Sequence, residues 1–315
     1  GARLESIRLD GADGVPLAGW LFTHGSAARG TVVVSHGSGG SRDHATPYAE
    51  FLLDAGYDVL APDARGHGES GGIATYGIRE ADDLRRWAAW VRRRTPGRCI
   101  YALGSSMGGS TAILLASKHP KLISKLILND IGPHIPVGRR RRRSQTLARH
   151  YVFRDPADML RRVGASQKND GPVSDEIRFN LTFHQTRWSD EENGRIYRHD
   201  VRALQAYRRD AQHSLLQWKQ WRNVRCPILL IHGLQSDCLF EATIRRMSRG
   251  KQVALMHLPD TGHAPLLADR NQIHFVRQWL CEPQHTDGEW SVLHAAPRDR
   301  HAETPLHFAP LLELK

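Results

Sequence analysis

The order of hydrophobic and polar positions predicts strands that alternate with helices in the first part of the chain. Two alternating stretches from Arg3 to Phe22 flank the turn-forming segment Asp10-Gly11-Ala12-Asp13-Gly14, which predicts a β-hairpin. Thr31–Ser35 is then a continuous β-branched run, typical of a strand buried on both faces. Further strands are predicted at Tyr57–Pro62, Ile100–Leu103 and Leu126–Asn129, and helices in a stretch ending at Ala55, over Glu80–Arg94 and over Met107–Lys118. This alternation predicts an α/β domain with a parallel sheet and right-handed crossovers.

The alternation stops after Ile131-Gly132-Pro133. Residues 133–222 contain helix-like patches without a buried-strand run. Cys226–His232 and Val253–Leu258 then resume the strand pattern, and a closing helix is predicted over Pro265–Leu280. We therefore predict one α/β core formed by residues 1–132 and 223–281, a helical cap of residues 133–222 inserted after the sixth of eight strands, and a C-terminal extension of residues 282–315 whose structure we leave open.

The composition is that of a globular chain, because 40% of the 315 residues are hydrophobic and 28 more are Gly. No apolar run approaches the roughly 20 residues that span a bilayer, so we predict no integral membrane segment. No signal peptide is visible from Gly1 onward, although one removed before Gly1 would leave no trace. The four cysteines show neither a CxxC pair nor a Cys/His spacing typical of zinc. We expect free thiols, no metal site and a cytoplasmic location.

The segment Gly104-Ser105-Ser106-Met107-Gly108 fits the pattern G-x-S-x-G. It falls where the strand Ile100–Leu103 must turn sharply into the helix Met107–Lys118, and such a turn needs glycines because side chains there would collide. The turn lifts the central hydroxyl above the carboxyl edge of the sheet, at a helix N-terminus that favours developing negative charge. We therefore predict that Ser106 is a nucleophile; a Gly/Ser-rich helix start without a role is the alternative.

A serine nucleophile needs a histidine base and an acid that orients this base. His263 lies in a loop just past the last predicted strand, at the same edge as Ser106, whereas His257 lies within that strand. Asp237 follows the strand Pro227–His232 by a short loop and is our predicted acid; Asp130, directly after the preceding strand, is the alternative. The order Ser106, Asp237, His263 predicts a catalytic triad.

Acyl transfer also needs hydrogen-bond donors for the oxyanion that forms on the substrate. The backbone N–H of Met107, next to the nucleophile, is the first predicted donor. The loop His36-Gly37-Ser38-Gly39-Gly40 follows the strand Thr31–Ser35 and supplies the second, for which we choose Ser38 over Gly39. A phosphate-binding loop is the competing interpretation, but the segment has no Gly-Lys-Ser/Thr ending and no G-x-G-x-x-G pattern.

Taken together, these motifs resemble the α/β-hydrolase superfamily over about residues 15–281; they are His36-Gly37, Pro62-Asp63-Ala64-Arg65-Gly66-His67-Gly68-Glu69-Ser70, Gly104 to Gly108, Pro227 to Gly233 with Asp237, and Gly262-His263-Ala264-Pro265. The resemblance implies the α/β-hydrolase fold, with a mostly parallel eight-stranded sheet flanked by helices, and a Ser-His-Asp triad. It implies little about the substrate, because the superfamily includes esterases, lipases, thioesterases, carbon–carbon bond hydrolases, polyester depolymerases and peptidases. The chain departs from the usual motifs in its Gly-Ser-Gly-Gly oxyanion loop and in Cys238, where Pro is common.

The predicted cap carries most of the positive charge of the chain. Its residues 133–222 include 19 Lys and Arg against 10 Asp and Glu, a net charge of +9 out of +11 for the whole sequence. Arg139 to Arg143 are consecutive, and three interpretations stay open: a solvated loop, attraction of anionic substrates or a membrane surface, and nucleic-acid binding. The cap also contains aromatic side chains that either line a substrate pocket or pack the cap onto the core: Tyr151, Phe153, Phe179, Phe183, Trp188, Trp218 and Trp221.

From these observations we predict a serine hydrolase that cleaves carboxylic esters, an esterase or lipase that needs no cofactor and no metal. Its partner would be a small-molecule ester, with an apolar or aromatic group, and we expect no nucleic acid; a homodimer is left open. Alternatives of the same fold are a carbon–carbon bond hydrolase, a thioesterase and a polyester depolymerase. A non-catalytic ligand-binding protein of this fold is the alternative from a different class.

Overall fold

The computed structural model describes residues 2–24, 28–147, 150–166, 171, 174–198, 201–263, 265–282, 288–293 and 309–310. Ala264 and most of the predicted extension, residues 282–315, lie outside these ranges. The strands are β1 (Arg3–Asp10), β2 (Pro16–Thr23), β3 (Gly30–Ser35), β4 (Asp58–Pro62), β5 (Cys99–Ser105), β6 (Leu126–Asn129), β7 (His134–Ile135), β8 (Thr186–Ser189), β9 (Gly194–Tyr197), β10 (Leu215–Leu216), β11 (Ile228–Gly233), β12 (Val253–Leu258), β13 (Gly288–Ser291) and β14 (Ala309–Pro310). The helices are α1 (Thr46–Asp54), α2 (Ile78–Arg94), α3 (Met107–Lys118), α4 (Val137–Leu147), α5 (Pro156–Ser166), α6 (Asp175–His184), α7 (Val201–Asp210), α8 (Trp218–Asn223), α9 (Glu241–Ser248) and α10 (Arg270–Cys281).

The main sheet has the predicted antiparallel start and parallel centre. Its order in the described residues is β1-β2-β4-β3-β5-β6-β11-β12-β13-β14. Strand β2 runs antiparallel to β1 and β4, and the strands from β4 through β12 run parallel to their neighbours. All eight predicted strands are present. Strands β13 and β14 extend the sheet beyond β12, so it has ten described strands rather than eight.

The continuous apolar runs in the central strands are explained by burial on both faces of this sheet. In β3, Val33 packs in one cluster with Trp87 of α2, whereas Val32 and Val34 pack on the opposite face in a cluster with Phe51 of α1. Because successive strand side chains point to opposite faces, a strand covered by helices on both sides must be apolar at every position. The carboxyl ends of β3, β5, β6, β11 and β12 therefore meet at one rigid edge.

The closing helix starts later than predicted. It begins at Arg270 instead of Pro265, because the Asp269 side chain accepts hydrogen bonds from the amides of Asn271 and Gln272 and so caps the N-terminus. The carbonyl oxygen of Pro265 instead accepts a hydrogen bond of 2.8 Å from the Asn129 side chain. Residues 265–269 are thus a loop tied to the end of β6.

The insertion, residues 133–222, was predicted to be helical, but in the structure it also contains short strands. Besides α4 to α8 it contains two small antiparallel pairs, β7 with β10 and β8 with β9. It has an apolar cluster of its own, in which Phe153, Met159 and Val163 are buried. The sequence did not predict these strands, because they are short and only partly buried and therefore lack a continuous apolar run. Among the described residues, none of the helices combines the length and apolar character needed to cross a membrane.

Candidate active site

Ser106 lies at the predicted sharp turn between β5 and α3. Its backbone has φ 50° and ψ −115°, a conformation that a non-glycine residue adopts only at some energetic cost. The turn is tight: a Cβ atom on Gly104 would lie 2.5 Å from the Cα of Gly109, and one on Gly108 would collide with the carbonyl oxygen of Ser35. Glycines are required here because the backbones of β5, α3 and β3 approach one another closely.

This close approach leads to a prediction about stability. Gly104→Ala is expected to lower the free energy of unfolding by about 3 kcal/mol, since its methyl group would overlap backbone atoms that cannot move aside cheaply. Gly138→Ala is the matched control: Gly138 lies in α4 with no atom within 4 Å of an added Cβ, so this change should raise stability by up to about 1 kcal/mol. Urea unfolding of both variants measures the difference. Equal stabilities would contradict this account of the turn.

His263 lies in the loop after β12, and its side chain is 4% exposed. Its Nδ1 is 2.9 Å from Oδ2 of Asp130. Because a carboxylate only accepts hydrogen bonds, Nδ1 carries the proton and Nε2 bears the lone pair. Among the described residues, the buried Nε2 has no hydrogen-bond partner. The ring is thus oriented by an acid on one side and left with a basic nitrogen on the other.

Asp130 directly follows β6, the strand beside β5, and its side chain is fully buried. Its φ of 52° is a second strained non-glycine conformation at this edge. Its Oδ1 accepts a hydrogen bond of 3.0 Å from the amide of Gly233, and its Oδ2 accepts one of 2.5 Å from the Ser236 hydroxyl as well as the one from His263. These bonds stabilise a buried carboxylate in one orientation.

Asp237, the acid that we favoured from the sequence, has different partners in the structure. Its Oδ1 is 3.1 Å from Nη1 of Arg143 and its Oδ2 is 3.7 Å from Nη1 of Arg139. Although partial burial would raise the pKa of its carboxyl, Arg143 holds that pKa below its usual value. The structure therefore brings Ser106, Asp130 and His263 to one edge and pairs His263 with the alternative acid. Asp130 and Asp237 both follow strands at this edge, so their positions in the sequence did not decide which of them pairs with His263.

His257, the competing histidine, points elsewhere. Its Nδ1 lies 3.1 Å from Nδ1 of His232, and its Nε2 lies 3.8 Å from Glu289. Because it is part of β12, the register of that strand decides where its side chain points.

In the described part of the chain, no three His, Cys, Asp or Glu side chains are grouped so as to hold a metal ion.

The loop of residues 36–40 lies against Ser106. A Cβ atom on Gly37 would be 3.3 Å from the Cβ of Ser106. The imidazole of His36 fixes the loop, since Nδ1 donates to the Gly37 carbonyl (2.8 Å) and Nε2 accepts from the Ala64 amide (3.0 Å). Burial lowers the pKa of His36 far below its usual value, which keeps the ring neutral, as these two bonds require.

The two predicted oxyanion donors, the amides of Met107 and Ser38, belong to segments close to Ser106. Met107 is the first residue of α3, where a backbone N–H has no acceptor within the helix. The bond that closes the neighbouring loop runs from the Gly40 amide to the Gly37 carbonyl (3.1 Å), so it does not use the amide of Ser38. Met107 therefore directly follows Ser106, and Ser38 directly follows Gly37, on which an added Cβ would be 3.3 Å from the Cβ of Ser106.

Tyr76, which no sequence motif singles out, connects the segment after β4 with the insertion. The residue has φ 53°, and its hydroxyl donates to the carbonyl of Ala203 in α7 at 2.9 Å. Its ring lies 5.2 Å from that of Tyr207. The side chain of Glu80 accepts from the amides of Thr75 and Gly77 and holds this segment. No local pattern marks Tyr76, because its partners are distant in sequence.

The aromatic residues of the insertion mostly pack within the protein. Phe153 is buried in the cluster of the insertion, with Tyr151 and Phe179 against it, and Trp221 is buried in the main core. Trp188 is among the exposed large hydrophobic residues.

Comparisons with known proteins agree with the fold described above. The chain is 26% identical over 234 residues to the 3-hydroxybutyrate-oligomer hydrolase of Cupriavidus necator, covering 71% of this chain and 79% of that protein. A shorter match, 35% identical over 108 residues, links it to the 2-hydroxy-6-oxononadienedioate/2-hydroxy-6-oxononatrienedioate hydrolase of Escherichia coli and covers 32% of this chain and 36% of that protein. A solved alpha/beta hydrolase from Novosphingobium aromaticivorans has the same fold, with a TM-score of 0.75 at 22% identity over 88% of this chain and 98% of that one.

The family match covers most of the elements described above. Residues 30–269, from β3 to the loop before α10, match the family with the alpha/beta hydrolase fold. This range includes the sharp turn at Ser106, Asp130 after β6 and the His263 loop. With the mostly parallel sheet and these relatives, it shows that the chain belongs to the alpha/beta hydrolase family.

Proposed function

We propose that the protein is a serine hydrolase that cleaves carboxylic esters, with Ser106 as nucleophile, His263 as base and Asp130 as the acid that orients His263. One observation carries this proposal: at the edge that holds Ser106, a buried histidine donates from Nδ1 to a buried carboxylate and keeps Nε2 without a partner among the described residues. A histidine in this state accepts a proton from a serine hydroxyl. The match to an oligomer hydrolase of a hydroxy acid supports an ester as substrate.

In the proposed reaction, Oγ of Ser106 attacks the ester carbonyl carbon while Nε2 of His263 takes its proton. Asp130 accepts the Nδ1–H throughout and stabilises the imidazolium that forms. The amides of Met107 and Ser38 donate to the oxyanion of the tetrahedral intermediate. The imidazolium protonates the departing alkoxide, which leaves as the alcohol. Water then attacks the acyl-enzyme with His263 again as base, releasing the carboxylic acid and free Ser106.

The insertion, residues 133–222, is proposed to be a cap over this site. Two contacts support this role: the bond from Tyr76 to Ala203 and the ion pair of Arg143 with Asp237 both join the insertion to loops at the carboxyl edge of the sheet. Residues 1–132 and 223–281 would then form the catalytic core.

A second candidate is hydrolysis of a carbon–carbon bond in an oxo acid, favoured by the local match to the Escherichia coli hydrolase of 2-hydroxy-6-oxo dioates. The two functions differ in their preferred electrophile. We therefore compare kcat/KM for p-nitrophenyl butyrate with that for a vinylogous diketone, and treat the protein with a fluorophosphonate. We expect faster ester turnover that the fluorophosphonate abolishes. Preference for the diketone would support the second candidate, and no turnover together with no labelling would overturn both.

The surroundings of His263 predict an acid-shifted pH profile. Burial lowers the pKa of His263 below the usual 6.5 of histidine, and the positive charge of Arg143 lowers it further, against the opposite effect of Asp130. Only the neutral ring acts as a base, so kcat/KM falls as the pH drops through this pKa. We expect the acid limb of the kcat/KM profile for a neutral ester to lie below pH 6.5. A limb well above that value would contradict the buried, neutral histidine.

A further inference from the structure

The five-arginine run of the insertion has three structurally different parts. It lies in helix α4, not in a solvated loop. Arg140 is buried and forms hydrogen bonds within the insertion. Arg141 and Arg142 are exposed. Arg139 and Arg143, one helical turn apart, share the remaining face. The charge of the run is therefore divided, and only this last pair faces the loop after β11.

Arg139 and Arg143 both pair with the carboxylate of Asp237. Both guanidinium groups pair with Asp237, at 3.7 Å and 3.1 Å respectively. Two positive charges against one negative charge leave this group with a net charge of +1. The side chains of Arg143 and Asp237 are 28% and 36% exposed, so dissolved molecules can reach them. An ion pair with this exposure adds little to the stability of the fold. Its main effect is to hold the Arg143 guanidinium in one position.

This positive group is next to the proposed catalytic residues. Asp237 directly follows Ser236, whose hydroxyl donates to the same Asp130 oxygen that accepts from His263. Arg143 is also close enough to lower the pKa of His263. A substrate bound for attack by Ser106 would therefore have a guanidinium close to its reacting end.

We propose that Arg143 binds a carboxylate of the substrate, and that the esters preferred by this protein carry a negative charge. The inference rests on the proposed ester hydrolysis and names its substrate class. Arginine suits this task because its planar N–H donors match a carboxylate, and because it stays charged at every relevant pH. Asp237 acts as a positioning residue, since its bond to Nη1 of Arg143 holds the guanidinium at the edge of the site. Arg139 adds a second positive charge beside the same carboxylate.

The test uses two pairs of esters that differ by one negative charge. p-Nitrophenyl hydrogen adipate and its methyl ester place the charge in the acyl group, and 4-acetoxybenzoate and its methyl ester place it in the alcohol. The wild-type protein should favour the anionic member of at least one pair. In Arg143→Gln the ratio of kcat/KM, anionic over neutral, should fall about 10- to 100-fold, mainly through KM, because a charge-assisted bond to the substrate is lost.

Arg141→Gln is the matched control, since it removes the same charge from the exposed face of the same helix. Its anionic-to-neutral ratio should stay within about twofold of the wild type, because an exposed, solvent-screened charge acts weakly at a distance. If Arg143→Gln and Arg141→Gln change the ratio equally, or neither changes it, the carboxylate site is overturned. Arg143→Lys should recover part of the preference, which separates loss of charge from misfolding.

A pH profile provides a readout that tests the placement of Arg143 independently of substrate charge. Removing its positive charge should move the acid limb for a neutral ester to higher pH, because protonated His263 is then less strongly disfavoured, with Asp130 and Asp237 both favouring it. An unmoved limb would contradict the placement of Arg143. Absence of any ester turnover in the wild type would instead remove the proposed function, so the two failures are distinguishable.

Discussion

Asp130→Asn is expected to lower kcat for a neutral p-nitrophenyl ester by about 10⁴-fold, because an amide in place of the carboxylate favours the wrong tautomer of the base. In the structure Oδ2 of Asp130 accepts the proton of Nδ1 of His263 at 2.9 Å. The introduced side-chain amide would donate to Nδ1 instead, which would move the ring proton to Nε2, where the serine proton must go. Steady-state kinetics at the pH optimum measure the loss.

Asp237→Asn is the matched comparison, since it makes the same chemical change in the acid favoured by the sequence. Asp237 pairs with Arg143 and Arg139, so we expect kcat on the neutral ester to fall less than tenfold. Circular dichroism and thermal unfolding would verify that both variants are folded. The reverse result, a large loss in Asp237→Asn and a small one in Asp130→Asn, would make Asp237 the catalytic acid and reject the triad proposed here.

Ser106→Ala is expected to lower kcat for the same ester by about 10⁴- to 10⁶-fold, because the acyl-enzyme can no longer form. Some rate above the uncatalysed reaction should remain, since the oxyanion donors and substrate binding are still present. The variant should also lose the rapid release of p-nitrophenol that accompanies acylation. The strained conformation at Ser106 belongs to the backbone turn, so the substitution should leave the fold intact.

Ser105→Ala serves as the control for Ser106→Ala, because it removes a neighbouring hydroxyl from the same motif. Ser105 is the last residue of β5 and is not at the sharp turn, so we expect kcat to change less than tenfold. Peptide mapping after fluorophosphonate treatment should locate the label on Ser106. Full activity in Ser106→Ala, or a label on another serine, would reject the nucleophile.

Local sequence was sufficient to predict most of the sheet and the places of Ser106 and His263. Strand β12 has the predicted bounds Val253–Leu258, and α3 has the predicted bounds Met107–Lys118. These elements follow from periodicity and from glycines at a tight turn, both of which act between residues close in the chain. Because strands of a parallel sheet end at one edge, residues that follow them come together whatever the details of packing.

The choice of the acid depended on the folded arrangement. Both Asp130 and Asp237 follow strands at the same edge, so the position in the chain did not distinguish them. The difference arises from contacts between distant segments: Gly233 and Ser236 hold Asp130 toward His263, while α4 brings two arginines to Asp237. Such contacts depend on how the insertion and the loops pack, and no local pattern encodes them.

For the arginine run too, the sequence determined one property and the folded structure another. Composition and position in the chain established that the positive charge lies in the insertion, since 19 Lys and Arg fall within residues 133–222. Packing then buried Arg140, exposed Arg141, and placed Arg143 against Asp237. Strand and helix patterns and the sharp turn are properties of neighbouring residues and are therefore legible in the sequence. The partner of a charged side chain is selected among many candidates by three-dimensional proximity, which only the folded chain provides.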